Sequence, residues 1–229
     1  LPFDVENVLG FQEGKRLLLT MEVYADLPAD EALLGTARRD AEKAASKASG
    51  KVYDSLLFRH WDHWEDGKRS HLFVAQIGGG APVDLTAGLD ADGPTRPFGG
   101  MEEIAIAPLG DEVAFAAQLM TDDAAWSTDV DLYVVPADGS RPPRCVTPDN
   151  PAWDNQPAYS PDGRHLAWLA MKQPQYESDR RRITLLDRGT GATRVLTETW
   201  DASPGELAWS TDGKTLFTSA DNLGQKSLF

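Results

Sequence analysis

Cysteine is nearly absent. Cys145 is the single thiol among 229 residues, which excludes a disulfide within the chain and leaves a reducing cytoplasm and an oxidising periplasm equally compatible. Long apolar runs are missing too, since the longest are far short of the roughly 20 residues that a spanning helix needs. No membrane anchor is therefore expected, and Leu1 to Asn7 carry neither the basic region nor the apolar core of an export signal. Basic residues are outnumbered, 22 Lys and Arg against 36 Asp and Glu, and the net charge of −14 repels phosphate backbones and anionic headgroups. Nucleic acid and membranes are thus not expected as partners. A cationic ligand such as a peptide amino terminus suits an acidic surface, although such a surface also serves plain solubility. The chain is long enough to bury a core without disulfide or metal.

What is present is repetition. Four segments align: "VLGFQEGKRLLLTMEV" from Val8, "IAIAPLGDEVAFAAQ" from Ile104, "PAYSPDGRHLAWLAM" from Pro157 and "ELAWSTDGKTLFTSA" from Glu206. Each has an apolar stretch, a turn closing on glycine, and a large aliphatic residue three positions later, which is the pattern of a tight β-hairpin. A second hairpin follows in "HLFVAQIGGGAPVDLT" from His71, "DLYVVPADGSRPPRCVT" from Asp131 and "RITLLDRGTGATRVLT" from Arg182. Two hairpins make four strands, and the turn glycines Gly110, Gly163 and Gly213 recur at intervals of 53 and 50 residues. That period suits a β-propeller blade; a β-sandwich would not predict it.

The expected fold is therefore all-β: four-stranded antiparallel propeller blades with one inserted helix. The blades fall at about 1–88, 98–148, 154–199 and, incomplete, 204–229. Thr147 and Thr197 each precede the next turn glycine by 16 residues, which places residue 1 near a blade boundary, and "KSLF" at Lys226–Phe229 matches only the start of a third strand. About three and a half blades are expected where propellers close with four to eight, so a longer polypeptide is the expectation.

In an up-and-down blade the first-to-second and third-to-fourth turns share one face. Here these are tight, and the longer segments, 24–69, 87–100, 118–129, 148–156, 171–181 and 200–204, fall to the opposite face, where binding is expected. The insertion at about 29–50, alanine-rich and charged, predicts a helix from Asp30 to Ser49 with Gly50 as its stop and Leu33, Leu34, Ala37, Ala41, Ala44, Ala45 and Ala48 as its apolar stripe. After it come a strand, an aromatic-rich bend and a return strand.

Catalytic signals are sparse. No Gly-x-Ser-x-Gly nucleophile elbow occurs, and Ser160 and Ser210, in "YSPDG" and "WSTDG", read as turn formers. His60 and His63 lie close to Asp62 and Glu65, but neither a helical His-Glu-x-x-His nor a Cys-x-x-Cys pair supports a metal. Asp122, Asp123, Asp129 and Asp131 lack the calcium-loop pattern. No metal or cofactor is expected.

The segments "YDSLLFRHWDHWEDGKRSHLFV", "RPFGGMEEIA", "WSTDVDLYVV" and "YESDRRRITLLD", each joined to an "SPDG"-like hairpin, together resemble the propeller of bacterial dipeptidyl and acylaminoacyl peptidases of the prolyl oligopeptidase family. The likeness covers nearly the whole chain; its specific parts are "RHWD", "PFGG" and "YESDR". It implies a propeller that covers an α/β-hydrolase domain of the same protein, admits oligopeptides, excludes folded proteins and helps hold the substrate's amino terminus. The serine triad of the family has no counterpart in these 229 residues. Candidate substrate-binding residues are Glu102, Glu103, Glu177, Asp179, Arg180, His60, Trp61 and Asp62. Glu177 has the alternative of an ion pair with Arg180 or Arg181, and His60, Trp61 and Asp62 that of packing the insertion. A non-catalytic scaffold similar to TolB-type periplasmic modules, which share the "SPDG" hairpins, is the competing reading. Self-association is left open.

Overall fold

The computed structural model describes residues 4–54 and 56–229. Its strands form successive antiparallel meanders, as a propeller requires. In the first, β1 (Asn7–Phe11), β2 (Arg16–Tyr24), β5 (Lys68–Gln76) and β6 (Val83–Asp84) lie side by side in that order. The long β2–β5 connection holds α1 (Ala32–Ala45) and the hairpin of β3 (Arg59–His60) and β4 (His63–Trp64). In the second sheet, β7 (Ala91–Asp92) and β8 (Ile104–Ile106) both pair with β9 (Glu112–Leu119), which neighbours β10 (Asp131–Pro136) and β11 (Arg144–Cys145). The third runs β12 (Asp154–Tyr159), β13 (His165–Ala170), β14 (Arg182–Asp187), β15 (Thr193–Val195), and the fourth β16 (Leu207–Trp209), β17 (Leu216–Asn222), β18 (Gln225–Leu228).

The chain divides into two compact units: Leu1–Met101 with Ala117–Trp126 and Val135–Pro143, and Glu102–Ala116 with Ser127–Val134 and Arg144–Phe229. The first unit packs Leu19, Met21, Val23, Ala32 and Phe73 into one cluster. The second packs Ala114, Ala116, Val130, Leu132, Val134, Leu166 and Trp168. Middle strands are buried on both faces, which is why "VAFAA" (113–117) and "LYVV" (132–135) read as continuous apolar runs rather than alternating ones.

The repeated turn chemistry has a local cause. In "SPDG", the Ser160 hydroxyl donates to Asp162 Oδ1 at 2.5 Å and accepts the His165 N–H at 2.9 Å, while Gly163 takes φ +69°. Ser210 and Asp212 repeat the arrangement at 2.7 Å, with Gly213 again at +69°. Both serines are thus engaged in their own turns. Each closing threonine replaces a ladder bond: Thr86, Thr147 and Thr197 accept, on Oγ1, the N–H groups of Leu72, Leu132 and Ile183 at 3.1, 3.0 and 2.9 Å. Thr147→Val leaves the buried Leu132 N–H without an acceptor and should cost about 1–3 kcal/mol, read as a lowered urea midpoint. Thr197→Val, at a less buried site, should cost less; equal, negligible losses in both would refute this role.

Three details differ from the sequence expectations. The helix ends at Ala45, with Ser46 extended as its C-cap, because residues 41–50 are all exposed and gain no packing that would extend it. Its buried face is Ala32, Gly35 and Thr36; of the expected leucine and alanine stripe Leu33 packs against the core cluster, whereas Leu34 is 69% exposed and Ala41, Ala44, Ala45 and Ala48 are exposed. Tyr24 sets that phase: its N–H donates to Thr36 Oγ1 at 3.1 Å, its hydroxyl donates to Asp40 at 2.9 Å, and Arg39 and Lys43 lie over its ring at 4.3 and 4.7 Å. Third, Ala91 and Asp92 already pair with Leu119 and Gln118 of β9, so residues 93–103 form an excursion between two strands of one sheet rather than a plain inter-blade link.

Candidate functional site

In the first unit, the β3–β4 hairpin pairs His60 with His63 and turns at Trp61, which takes φ +50°. This turn meets the 93–103 excursion: the Trp61 and Phe98 rings lie 5.1 Å apart, and His60 meets Phe98 edge-on at 6.4 Å. Trp61 and Phe98 are nonetheless 69% and 70% exposed. Two large rings held against each other in water form a π-rich shelf of the kind that binds flat or cationic groups.

A cavity of about 90 Å³ adjoins it, lined in part by Glu22, His60, His63, Lys68, Asp92 and Arg96. Its cations are already matched. Arg96 pairs with Glu6 at 2.7 Å and Glu22 at 3.0 Å, and Lys68 with Asp66 at 3.3 Å and Glu22 at 3.6 Å; the neighbouring Arg69, outside the lining, holds the lining Glu65 at 2.6 Å and Asp90 at 2.7 Å. Burial pushes the Asp92 carboxyl up to about 6, against the pull of the Ser70 N–H and of Arg69 and Arg96. Asp62 differs, being mostly exposed with only His63 beside it at 3.3 Å.

The second unit holds the remaining candidates. Glu102 and Glu103 lie in the short 3-10 turn Met101–Glu103, where Glu102 faces solvent and Glu103 is 6% exposed. Glu103 accepts the Asn155 side-chain amide at 2.6 Å. In the Met171–Arg181 loop, Asp179 accepts the N–H groups of Lys172 and Gln173 at 2.7 and 3.0 Å and meets Arg182 at 3.4 Å. Those backbone bonds and Arg182 hold its carboxyl below the usual range in spite of burial, which acts to raise it. Arg180 donates to the carbonyls of Thr197 and Glu198 at 3.0 and 2.8 Å. Glu177 is exposed and forms no ion pair with Arg180 or Arg181 among the described residues.

The structure therefore brings His60 and Trp61 together with Phe98 in one unit, and places Glu102, Glu103, Glu177, Asp179 and Arg180 in the other. Phe98, carried by "PFGG", is not among the sequence candidates, and no sequence signal ties it to Trp61, which it meets in the structure. Among the described residues, no group of three or more His, Cys, Asp and Glu side chains is placed to hold a metal, and no helix is long and apolar enough to cross a membrane.

No protein-family model matches the chain. Among curated proteins it is 31% identical over 215 residues to dipeptidyl-peptidase 5 of Aspergillus fumigatus, covering 85% of this chain and 30% of that protein. Dipeptidyl-peptidase 5 of Porphyromonas gingivalis is 28% identical over 230 residues, covering 97% of this chain and 32% of the relative. The chain thus spans about 30% of the length of these relatives. Among solved structures, the acylaminoacyl peptidase of Pyrococcus horikoshii superposes with a TM-score of 0.60 at 12% identity, over 98% of this chain and 30% of that one. TolB of Acinetobacter baumannii gives 0.54 at 12% identity, over 99% and 40%. These two likenesses concern the fold.

Proposed function

We propose, starting from a chain that belongs to the β-propeller part of the prolyl oligopeptidase family, that it serves a serine peptidase releasing residues or dipeptides from oligopeptide amino termini. An α/β-hydrolase domain of the same polypeptide supplies the triad, and the propeller gates entry and helps hold the substrate. The observation that carries the reading is the 31% identity to a dipeptidyl peptidase over 85% of the chain. The geometry supports it: the Trp61–Phe98 shelf offers apolar and π surface to a peptide's first residues, and Glu177, Glu102 and Asp62 are exposed carboxylates suited to a cationic amine.

The TolB-like reading makes the propeller a binding scaffold without catalysis. Incubating the complete polypeptide with a free-amine hexapeptide should release dipeptides, and a fluorophosphonate should abolish release by forming an adduct outside these 229 residues. The 229-residue stretch alone should form no adduct, since Ser160 and Ser210 are spent on turns and a nucleophile needs an assisting base. An adduct on a serine within the stretch, or a complete protein that neither cleaves nor labels, would sink the peptidase reading.

A further inference from the structure

The third sheet borders a cavity that the peptide site does not use. Asp154 of β12 lies opposite Ala170 of β13, and Ala170 opposite Arg182 of β14. Residues directly opposite one another project to the same face of a sheet. An acid and a base therefore flank a single methyl group, and Trp168, opposite Thr184, continues the face. Ala170 is too small to fill the gap. The space left is a cavity of about 360 Å³, walled on its other side by the chain from Val146 to Asn150 and entered past Lys172 and Glu198.

Asp154 is 1% exposed. Its Oδ1 accepts the Trp168 indole N–H at 2.6 Å and its Oδ2 the Asn150 amide at 2.7 Å. A carboxylate offers about four lone-pair sites, so acceptor capacity remains. Of the cations lining the cavity, Lys172 pairs with Glu198 at 3.5 Å, and Arg182 with Asp179 and Glu198, each at 3.4 Å, while the buried Arg182 Nε forms no hydrogen bond among the described residues. Among the described residues no cation forms an ion pair with Asp154. The charged groups acting on it most are further acids, Asp131 and Asp129, and with burial they push its carboxyl up to about 7 against the Trp168 and Asn150 bonds.

We propose that this cavity binds a small primary-amine cation with an apolar body, its ammonium on Asp154 and its body against Trp168, Val146 and Val195. An ammonium supplies the missing charge, the indole favours a cation nearby, and the volume lies within the range of small-molecule pockets. An anion would meet Asp154 and Asp149, with Arg182 and Lys172 already engaged by Asp179 and Glu198, and a neutral molecule would leave Asp154 uncompensated.

The test is isothermal titration of the complete protein with phenethylamine and with uncharged 2-phenylethanol, at pH 8 and pH 5.5. The amine should bind at one site at least about tenfold tighter than the alcohol at pH 8. It should bind about tenfold or more weaker at pH 5.5, where it must displace a proton from Asp154. Ala170→Leu fills the gap while leaving Asp154 and its partners Trp168 and Asn150 in the sequence, and should abolish binding while the thermal midpoint holds. Asp154→Asn should remove both the preference for the amine and the pH dependence; if it does not fold, Ala170→Leu decides. No binding, equal affinity for both probes, pH-independent binding, or binding that survives Ala170→Leu would each overturn the proposal.

Discussion

On the proposed peptidase reading, Glu177→Gln in the complete polypeptide is expected to lower kcat/KM on a free-amine oligopeptide by about ten- to a hundredfold, with the N-acetylated counterpart and the thermal midpoint little changed. A charge-assisted hydrogen bond is worth roughly 1.5–3 kcal/mol, and Glu177 is exposed and forms no ion pair with Arg180 or Arg181 among the described residues. Glu103→Gln should behave in the opposite way. Its carboxylate is 6% exposed and accepts the buried Asn155 amide at 2.6 Å, so the change should cost about 1–3 kcal/mol of stability and depress both substrates alike. Glu102, exposed in the turn beside it, should follow Glu177 if it touches the amine. Wild-type behaviour of Glu177→Gln and Glu102→Gln on both peptides would reduce the propeller's part to steric filtering and remove the amine clamp from these residues.

Raising the pH from 5 to 8 is expected to destabilise the protein by on the order of 2–3 kcal/mol relative to its Asp154→Asn variant. The sign follows from linkage. With its folded carboxyl up to about 7 and an unfolded value near 3.9, Asp154 binds a proton in the native state where the unfolded chain has already lost it. Its contribution is fully present below about pH 4, falls as pH rises through about 7, and is level above. Asp92, pushed up to about 6, acts in the same direction over a narrower window. Asp26 and Asp179 are held below the usual range and act oppositely, but only as pH falls to about 4 and below. Urea midpoints of wild type and Asp154→Asn at pH 5 and pH 8 provide the measurement. Identical pH slopes in the two proteins, or a wild type that gains on its variant as pH rises, would show that the Asp154 carboxyl is not held protonated by burial.

The repeat was legible in the sequence because its physics is local. Ser160, Asp162, Gly163 and His165 form one turn within six residues, and Gly163 and Gly213 share φ +69°, so spacing alone announced the hairpins and the blade period. The closing threonines are almost as local, each capping the N–H of the strand it neighbours. The "SPDG" serines could be set aside as nucleophiles on the same ground.

Other features were decided only in three dimensions. Alanine spacing proposed a helical stripe, yet of it Leu33 packs on the core while Ala41, Ala44, Ala45 and Ala48 stay exposed, because Tyr24, reaching Thr36 and Asp40, anchors the face that carries Ala32, Gly35 and Thr36. Trp61 and Phe98 are far apart in sequence, and the pairing of β7 with β9, the Gly93–Ser70 bond and the Arg96 ion pairs with Glu6 and Glu22 hold the excursion whose Phe98 lies 5.1 Å from Trp61. Asp154 reads in "WDNQ" as an ordinary loop acid; the register of three strands puts it beside Ala170 and buries it to 1% exposure. The sequence by itself determined the turns, the period and the blade class, since these follow from dihedral preferences and hydrogen bonds a few residues apart. Tertiary structure decided which acids are buried, which rings meet and where space is left, since desolvation and contact depend on segments that only folding brings together.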